Sequence, residues 1–231
     1  MSDGDADERD DRALLRAHVD GDPAAFGILF ARHRDRLWAV ALRTCADPED
    51  AADALQEGMI AAFRRADSFR GDAAVTTWLH RVVVNASLDR LRRKKVRAAD
   101  ALPDDLEDHA DRGSVLTSSS DDDDPVLRSE RSEVQHQVLA ALRELPEEQR
   151  AALVLVDMEG YSVEDTARML GVAVGTVKSR CSRGRARLLP LLSPLRTSRA
   201  SPAGNEAGPP RVPSENPDLP ATPDPGGGER P

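Results

Sequence analysis

The segment SVEDTARMLGVAVGTVKSRCSRGRARL, from Ser162 to Leu188, contains two short helical patterns separated by a turn. Its opening residues SVED resemble a capping box, in which a Ser hydroxyl accepts from a backbone amide in the first turn of a helix. Gly171 predicts the end of the first helix, because glycine readily adopts the left-handed conformation found just beyond helix ends. Two short helices joined by a glycine-bearing turn predict a helix-turn-helix motif.

The second of these helices is strongly cationic. From Val172 to Arg187 the sequence has one Lys, four Arg and no acidic residue, although the chain of 231 residues has a formal net charge of -9. On a helical wheel, the residues expected to pack on the preceding helices are Val177, Cys181, Gly184 and Leu188. The opposite side presents long cations, which suit DNA phosphates and the guanine edge in a major groove.

We therefore predict that this helix binds DNA. The predicted contact residues are Thr176, Lys178, Ser179, Arg180, Ser182, Arg183, Arg185 and Arg187. A solvated basic face on a surface helix is the alternative interpretation, and the capped helix and turn before the basic stretch favour DNA binding over it.

The rest of the chain predicts an all-α fold of two small helical domains, over residues 11–99 and 129–192. Apolar residues recur at helical spacing in both segments, and Asp22-Pro23 and Asp47-Pro48 predict helix starts in the first. The aromatic share is only 3%, which favours modest cores. A further helix is expected after Asp72, with Trp78 on its apolar face and therefore in the core.

Three segments predict no folded structure of their own. Residues 1–10 form an acidic arm, residues 100–128 an acidic, Ser-rich flexible linker, and residues 193–231 a Pro-rich disordered tail. Such compositions cannot bury enough apolar surface to fold. One hypothesis for the tail is a scaffold that folds on a partner.

Several functional classes are disfavoured by what the sequence contains. Cys45 and Cys181 lie far apart without a CxxC pattern, so we expect reduced, structural thiols and neither a disulfide nor a metal site. We find no Gly-rich phosphate loop or nucleophile motif, so neither enzyme activity, a cofactor nor a small-molecule substrate is expected. The acidic N-terminus and the lack of a long apolar run favour the cytosol.

Three stretches, in this order, resemble the extracytoplasmic-function sigma factors of the sigma-70 family, and more narrowly the SigM group. They are DPAAFGILFARHRDRLWAVA, EDAADALQEGMIAAFRRADSFRGDAAVTTWLHRVVVNASLDRLRRKK and LPEEQRAALVLVDMEGYSVEDTARMLGVAVGTVKSRCSRGRARL, with the acidic linker between the last two. The resemblance implies a sigma-2-like first domain and a sigma-4-like second domain. It implies a factor that binds core RNA polymerase and directs promoter-specific initiation at -35 and -10 elements.

The resemblance also assigns residues to the core polymerase. The stretch DALQE implies contact with the clamp helices of the polymerase β′ subunit. Its residues are Asp53, Ala54, Leu55, Gln56 and Glu57. Acidic and polar groups suit a basic partner. From the residues alone, an ordinary exposed helix face is the alternative.

For the -10 element, the resemblance implies a pocket for a flipped base between the loop Phe69 to Val75 and a helix Asn. An Asn amide can read a base edge, while arginines neutralise phosphates. The implied contact residues are Phe69, Arg70, Arg81, Asn85, Arg90, Arg92 and Arg93, with Lys94 and Lys95 as further cations.

The resemblance implies three partners. Core polymerase would be bound through its β′ clamp helices and its β flap, and promoter DNA is the second partner. The third is an anti-sigma factor, which could hold the chain at the membrane. In such factors the linker passes through the polymerase cleft. Asp121 to Asp124 either occupy phosphate-like positions there or belong to a simple spacer, and both interpretations stay open. A helix-turn-helix regulator that binds an operator without polymerase is the main alternative function.

Overall fold

The computed structural model describes residues 8–100 and 125–198, and every regular element in these ranges is helical, which confirms the all-α prediction. The first domain contains α1 (Asp11–Val19), α2 (Ala25–Cys45), α3 (Pro48–Arg64), a 3-10 helix (Ala66–Ser68) and α4 (Val75–Asp100). The second contains α5 (Pro125–Arg143), α6 (Glu147–Leu153), a π-helix (Val154–Met158), α7 (Val163–Leu170) and α8 (Val174–Ser198). The predictions for residues 1–7, 101–124 and 199–231 lie outside the described residues.

The predicted helix boundaries are formed by side-chain caps. Asp47 accepts from the amides of Glu49 and Asp50 at the start of α3, where Pro48 has no N–H that would need an acceptor. Ser162 Oγ accepts from the Asp165 amide at 2.9 Å, and Gly171 ends α7 with a φ of 65°. These local signals confirm the helix-turn-helix reading.

Two helix ends differ from the sequence prediction. α5 begins at Pro125, inside the predicted linker, because proline is well tolerated at the first position of a helix. α8 continues to Ser198, past the predicted domain end at 192, although it contains Pro190 and Pro194. Each proline removes one backbone donor, while the leucines around it have high helix propensity.

The core of the first domain lies between α2, α3 and α4. Leu29, Leu37 and Val40 of α2 are buried against Leu79 and Val83 of α4. The buried residues of α4 are Val75, Leu79, His80, Val83, Val84, Ser87 and Leu88. Trp78, predicted on the apolar face and in the core, is half-buried and packs against this core.

The core of the second domain is built by α6 and α8. Val177, Cys181 and Gly184 are buried and Leu188 is half-buried, as the helical wheel predicts. Gly184 lies against Leu153, and a Cβ at this position would come within 2.6 Å of Leu153 Cδ1. The apolar residues of α5 are buried only toward its C-terminal end, since Val134 is exposed whereas Ala141 and Leu142 are buried.

Both cysteines are free and buried, as expected for structural thiols. Burial raises the pKa of the Cys45 thiol to about 11, so it is uncharged at neutral pH. No helix among residues 8–100 and 125–198 combines the length and apolarity that crossing a membrane requires.

The two domains pack directly on each other. Ala151, Val154, Leu155 and Met169 of the second domain are buried in one apolar cluster with α2, α3 and α4. Ala46, at the end of α2, is buried in the cluster of the second domain. The apolar contact between the domains is therefore continuous with both cores.

The packing of α6 on α8 leads to a stability prediction for Gly184→Ala. Overpacking a tight core position typically costs about 1 to 3 kcal/mol, which exceeds the gain of up to about 1 kcal/mol from replacing glycine in a helix. We expect a lower free energy of unfolding, measured by urea denaturation. Gly175→Ala is the matched control, because a Cβ at Gly175 meets no atom within 4 Å. The same change in stability for both variants would contradict this packing.

The buried His80 leads to a pH prediction. Burial lowers the pKa of His80 to about 4, below its ordinary value of 6.5, so the folded chain holds it neutral. As pH falls from 6.5 toward 4, the unfolded chain takes up a proton that the folded chain does not, and stability falls. Between pH 7 and pH 5 we expect His80 to contribute a loss of about 1 to 2 kcal/mol.

The measurement is the urea midpoint at both pH values. His80→Phe should reduce the loss, whereas His136→Gln, which changes an exposed histidine on α5, should leave it intact. An unchanged pH dependence in His80→Phe would rule out this role for His80.

Candidate nucleic-acid and polymerase interfaces

The stretch Asp53 to Glu57 lies in the middle of α3, so its side chains point in different directions. Asp53 and Gln56 are exposed and Glu57 is half-exposed. Ala54 and Leu55 are buried in the core of the first domain. Only Asp53, Gln56 and Glu57 can therefore offer side chains to a partner, and we call these three residues the α3 face.

The α3 face is tied to α4 by ion pairs. Arg90 Nη2 lies 2.5 Å from Asp53 Oδ2, and Arg90 Nε donates to the buried Asp50 at 3.0 Å. Arg93 pairs with Glu57. Lys94 also donates to Asp50 at 2.7 Å, and this hydrogen bond raises the pKa of Lys94. α4 thus neutralises much of the acidic charge of α3.

Arg90 is one predicted promoter contact that the structure places elsewhere. Its side chain is only 20% exposed and pairs with carboxylates of α3, and it does not line the groove described next. The pairing partner Asp50 lies 40 residues away, so local sequence patterns could not indicate it.

A groove of about 1240 Å³ lies between α3, the loop after the 3-10 helix, and α4. The predicted contact residues that line it are Phe69, Arg70, Arg81, Asn85, Arg92 and Arg93. Thr77, Trp78 and Val82 also line it and were missed as site residues. Their helical offsets from Arg81 and Asn85 are the signal that could have found them.

The groove combines aromatic, amide and cationic groups. The rings of Phe69 and Trp78 meet nearly edge to face, with centroids 5.7 Å apart. Asn85 is half-buried and places its amide in the groove, beside the exposed Arg81. An unstacked base requires such walls, and a nucleic-acid backbone requires such cations.

One edge of the groove is formed by the second domain. Asp165, Arg168 and Met169 of α7 line it. The Asn85 amide Nδ2 donates to the backbone carbonyl of Met169 at 3.2 Å. The amide predicted to read a base is therefore bound to protein in this structure.

The exposed side of α8 carries most of the predicted DNA-contacting residues. Lys178, Ser182, Arg183 and Arg187 are exposed, whereas Thr176, Ser179 and Arg180 are half-buried. Ser179 Oγ donates to the Thr176 carbonyl at 2.9 Å. Arg183 donates to the carbonyl and hydroxyl oxygens of Ser179 at 3.2 and 3.1 Å, which aligns its side chain along the helix.

Arg185 differs from its neighbours on α8. Its Nε and Nη2 donate to the two carboxylate oxygens of Asp157 at 2.9 and 2.6 Å. This bidentate pair links α8 to the π-helix, so Arg185 is a tethered cation and not a freely projecting one.

Among the described residues, no cluster of three or more His, Cys, Asp or Glu could hold a metal ion.

Two family descriptions match the chain. Sigma-70 region 2 matches residues 29–97, and Sigma-70 region 4 matches residues 135–188. The first match covers the α3 face and the groove, and the second covers the helix-turn-helix.

Characterised relatives agree with these matches. The ECF RNA polymerase sigma factor SigM of Mycobacterium tuberculosis is 52% identical over 194 residues, which cover 84% of this chain and 90% of that protein. The ECF RNA polymerase sigma-E factor of Haemophilus influenzae is 34% identical over 190 residues, covering 82% of this chain and 99% of that protein.

Solved structures share the fold. The sigma factor RpoE in complex with the anti-sigma factor NepR, from Bartonella quintana, gives a TM-score of 0.56 at 27% identity, covering 73% of this chain and 97% of that one. CnrH in complex with the cytosolic domain of CnrY gives a TM-score of 0.53 at 27% identity, covering 82% and 99%. With two family regions in their expected order and an identity of 52% to a named member, this chain belongs to the extracytoplasmic-function sigma factors of the sigma-70 family.

Proposed function

We propose that this sigma factor divides promoter recognition between two surfaces, the groove and α8, and binds core RNA polymerase through the α3 face. The observation that carries the proposal is the groove. Phe69, Trp78, Arg81 and Asn85 converge there, although they come from a loop and a helix. Aromatic walls, an amide and cations around one cavity suit an unstacked base of single-stranded DNA.

Within the groove, each group has a distinct task. The rings of Phe69 and Trp78 offer apolar walls for a base, and the Asn85 amide offers a donor and an acceptor for its edge. Arg92 and Arg93 extend the cationic surface along α4 for the phosphates. We assign this surface to the -10 element.

The exposed side of α8 is assigned to the -35 element. Recognition helices insert into the major groove, where a guanidinium can donate two hydrogen bonds to guanine. Arg183 lies one turn after Ser179 on the exposed side and is the proposed base-reading residue. Arg187 lies a further turn along α8 and is the proposed phosphate contact.

The α3 face is assigned to the β′ clamp helices, and the second domain to the β flap. Asp53, Gln56 and Glu57 form a polar strip with two exposed carboxylates, and a basic partner would compete for them with Arg90 and Arg93 of α4. We further propose that the chain works in the cytoplasm without catalytic activity of its own. Because the related RpoE and CnrH structures are complexes with NepR and with CnrY, we also propose an anti-sigma factor as a partner.

The assignment of α8 predicts different effects for two arginines. Arg183→Ala should weaken binding to the preferred -35 sequence by about 1 to 3 kcal/mol and reduce discrimination against other sequences. Arg187→Ala should weaken binding to matched and scrambled DNA about equally. Both are measured by gel shift of the sigma–core complex at fixed salt. Equal losses on both DNAs for both variants would contradict the base-reading role of Arg183.

The assignment of the α3 face to core polymerase predicts that substitutions on this face abolish core binding. Asp53→Arg combined with Gln56→Ala should abolish the complex with core polymerase, because a cation would then face a basic partner. The measurement is a gel shift with and without core on one promoter. The same variant without core should keep the weak, salt-sensitive DNA binding of the unmodified chain.

Asp35→Arg provides the control, since Asp35 is an exposed carboxylate on α2 outside the α3 face. It should leave core binding intact. Tight binding of the unmodified chain to one site without core, unaffected by core or by the double substitution, would instead support an operator-binding regulator.

A further inference from the structure

A second cavity lies beside the groove, between α1 and the loop that follows the 3-10 helix. Its volume is about 230 Å³, compared with about 1240 Å³ for the groove. We call it the α1 cleft, and its main lining residues are Arg12, Arg16, Arg70, Leu15, Val19 and Phe69. The match to Sigma-70 region 2 begins at residue 29, after α1 has ended, so it assigns no role to the α1 wall of this cleft.

The α1 cleft is positively charged. Arg12 and Arg16 are exposed and lie one turn apart on α1, and Arg70 adds a third guanidinium from the loop. Asp67 is the one carboxylate among the described residues that line the cleft. Within the part of the chain that the structure describes, no carboxylate pairs with any of these three arginines, whereas the arginines of α4 that face α3 are paired. The cleft therefore favours an anion, and guanidinium groups bind phosphate through paired hydrogen bonds.

The α1 cleft also has an apolar lining. Leu15 is buried, whereas Val19, one turn further along α1, is 48% exposed. Phe69 contributes a half-buried aromatic ring. Pockets for drug-sized ligands measure about 300 to 1,000 Å³, so a cavity of about 230 Å³ suits a smaller group such as one nucleobase. Apolar walls with arginines beside them suit a single nucleotide of an unpaired strand.

Phe69 and Arg70 connect the α1 cleft to the groove. Both residues line both cavities, so the cavities adjoin along the same loop. On the groove side, the ring of Phe69 meets the ring of Trp78. A strand whose unstacked base enters the groove can therefore place its neighbouring nucleotide in the α1 cleft without leaving the protein surface.

A hydrogen bond fixes the shape of the α1 cleft. Arg12 Nη2 donates to the carbonyl of Gly71 at 2.9 Å, which joins α1 to a loop 59 residues later. Gly71 has a φ of 79°, a conformation that favours glycine, and a Cβ there would lie 3.4 Å from Arg12 Nη2. The cleft is thus formed before DNA binds, which lowers the cost of ordering it.

We propose that the α1 cleft is a second nucleotide site, which binds the nucleotide next to the base that enters the groove. This inference rests on the proposed reading of a -10 base by the groove and extends it to the neighbouring position. Val19 and Phe69 contact the second base, and Arg16 neutralises its phosphate. Arg12 is a positioning residue, because it holds the loop against α1.

The first test uses the sigma–core complex and fork promoter DNA. The probe has a duplex -35 element and a fluorescent single-stranded -10 strand, both taken from a promoter that this chain transcribes with core. One base at a time is removed from the single strand to leave an abasic site, and affinity is measured by fluorescence anisotropy. Removal of the base at either of two neighbouring positions should weaken binding about five- to tenfold, because each base makes its own contact with an aromatic side chain.

Two substitutions assign these two positions to the two cavities. Val19→Asp places a charge in the apolar lining of the α1 cleft, so removal of the second base should then weaken binding less than twofold. Asn85→Ala should abolish the effect of the first base and retain that of the second. Val134→Asp is the matched control, because Val134 is an exposed valine of α5, and both effects should persist in it. Circular dichroism checks that each variant is folded.

The second test measures the phosphate contact. Arg16→Ala should lower the slope of log affinity against log salt concentration by about 0.7, the value for one phosphate contact on a single strand. Arg34→Ala removes an exposed cation of α2 that pairs with Asp35 and lines neither cavity, so it should leave the slope unchanged.

Three results would overturn the second nucleotide site. They are an unreduced effect of the second base in Val19→Asp, an unchanged salt slope in Arg16→Ala, and an effect of base removal at only the position that depends on Asn85. The last of these leaves the proposed function of the groove intact. If no position depends on Asn85, the proposed function of the groove is wrong, and the second site falls with it.

Discussion

Burial of one side of α4 between α2 and α3 positions the functional surfaces of the first domain. Leu79, Val83 and Leu88 lie in the core, which fixes the rotation of the helix. With that rotation set, Arg81 and Asn85 face the groove, and Arg90 and Arg93 reach the acids of α3. His80, on the same buried side, contacts Tyr161 of the second domain. One packed helix therefore connects the groove, the α3 face and the contact between the two domains.

Ion pairs with carboxylates reduce the positive potential of the basic surfaces of this acidic chain. Several of its cations already have carboxylate partners, as Arg90 has in Asp50 and Arg185 has in Asp157. A paired cation contributes less to the binding of phosphates than a hydrated one, because its field is partly cancelled. With a net charge of -9, the chain alone is suited to weak DNA binding. In the proposed function, affinity depends on the polymerase, because it holds the groove and α8 on the promoter at the same time.

Sequence patterns predicted the features that depend on neighbouring residues. The caps at Asp47 and Ser162 and the buried side of α8 all follow from local spacing. The groove residues were proposed through the family resemblance, and the structure brings Phe69 and Asn85 together in one groove. The features that sequence patterns did not predict are ion pairs between residues that are distant in the sequence. Asp157, the partner of Arg185, lies 28 residues away, and Glu159, the partner of Arg36, lies 123 residues away. Neither pair produces a local sequence pattern.

Run-off transcription with purified core polymerase and a library of randomised promoters tests the central claim most directly. The account predicts that transcripts arise only when this chain and core are both present. It also predicts that the selected promoters share two sequence elements, near -35 and -10, at a fixed spacing. No transcription with core, together with protection of a single operator-like site by the chain alone, would contradict it.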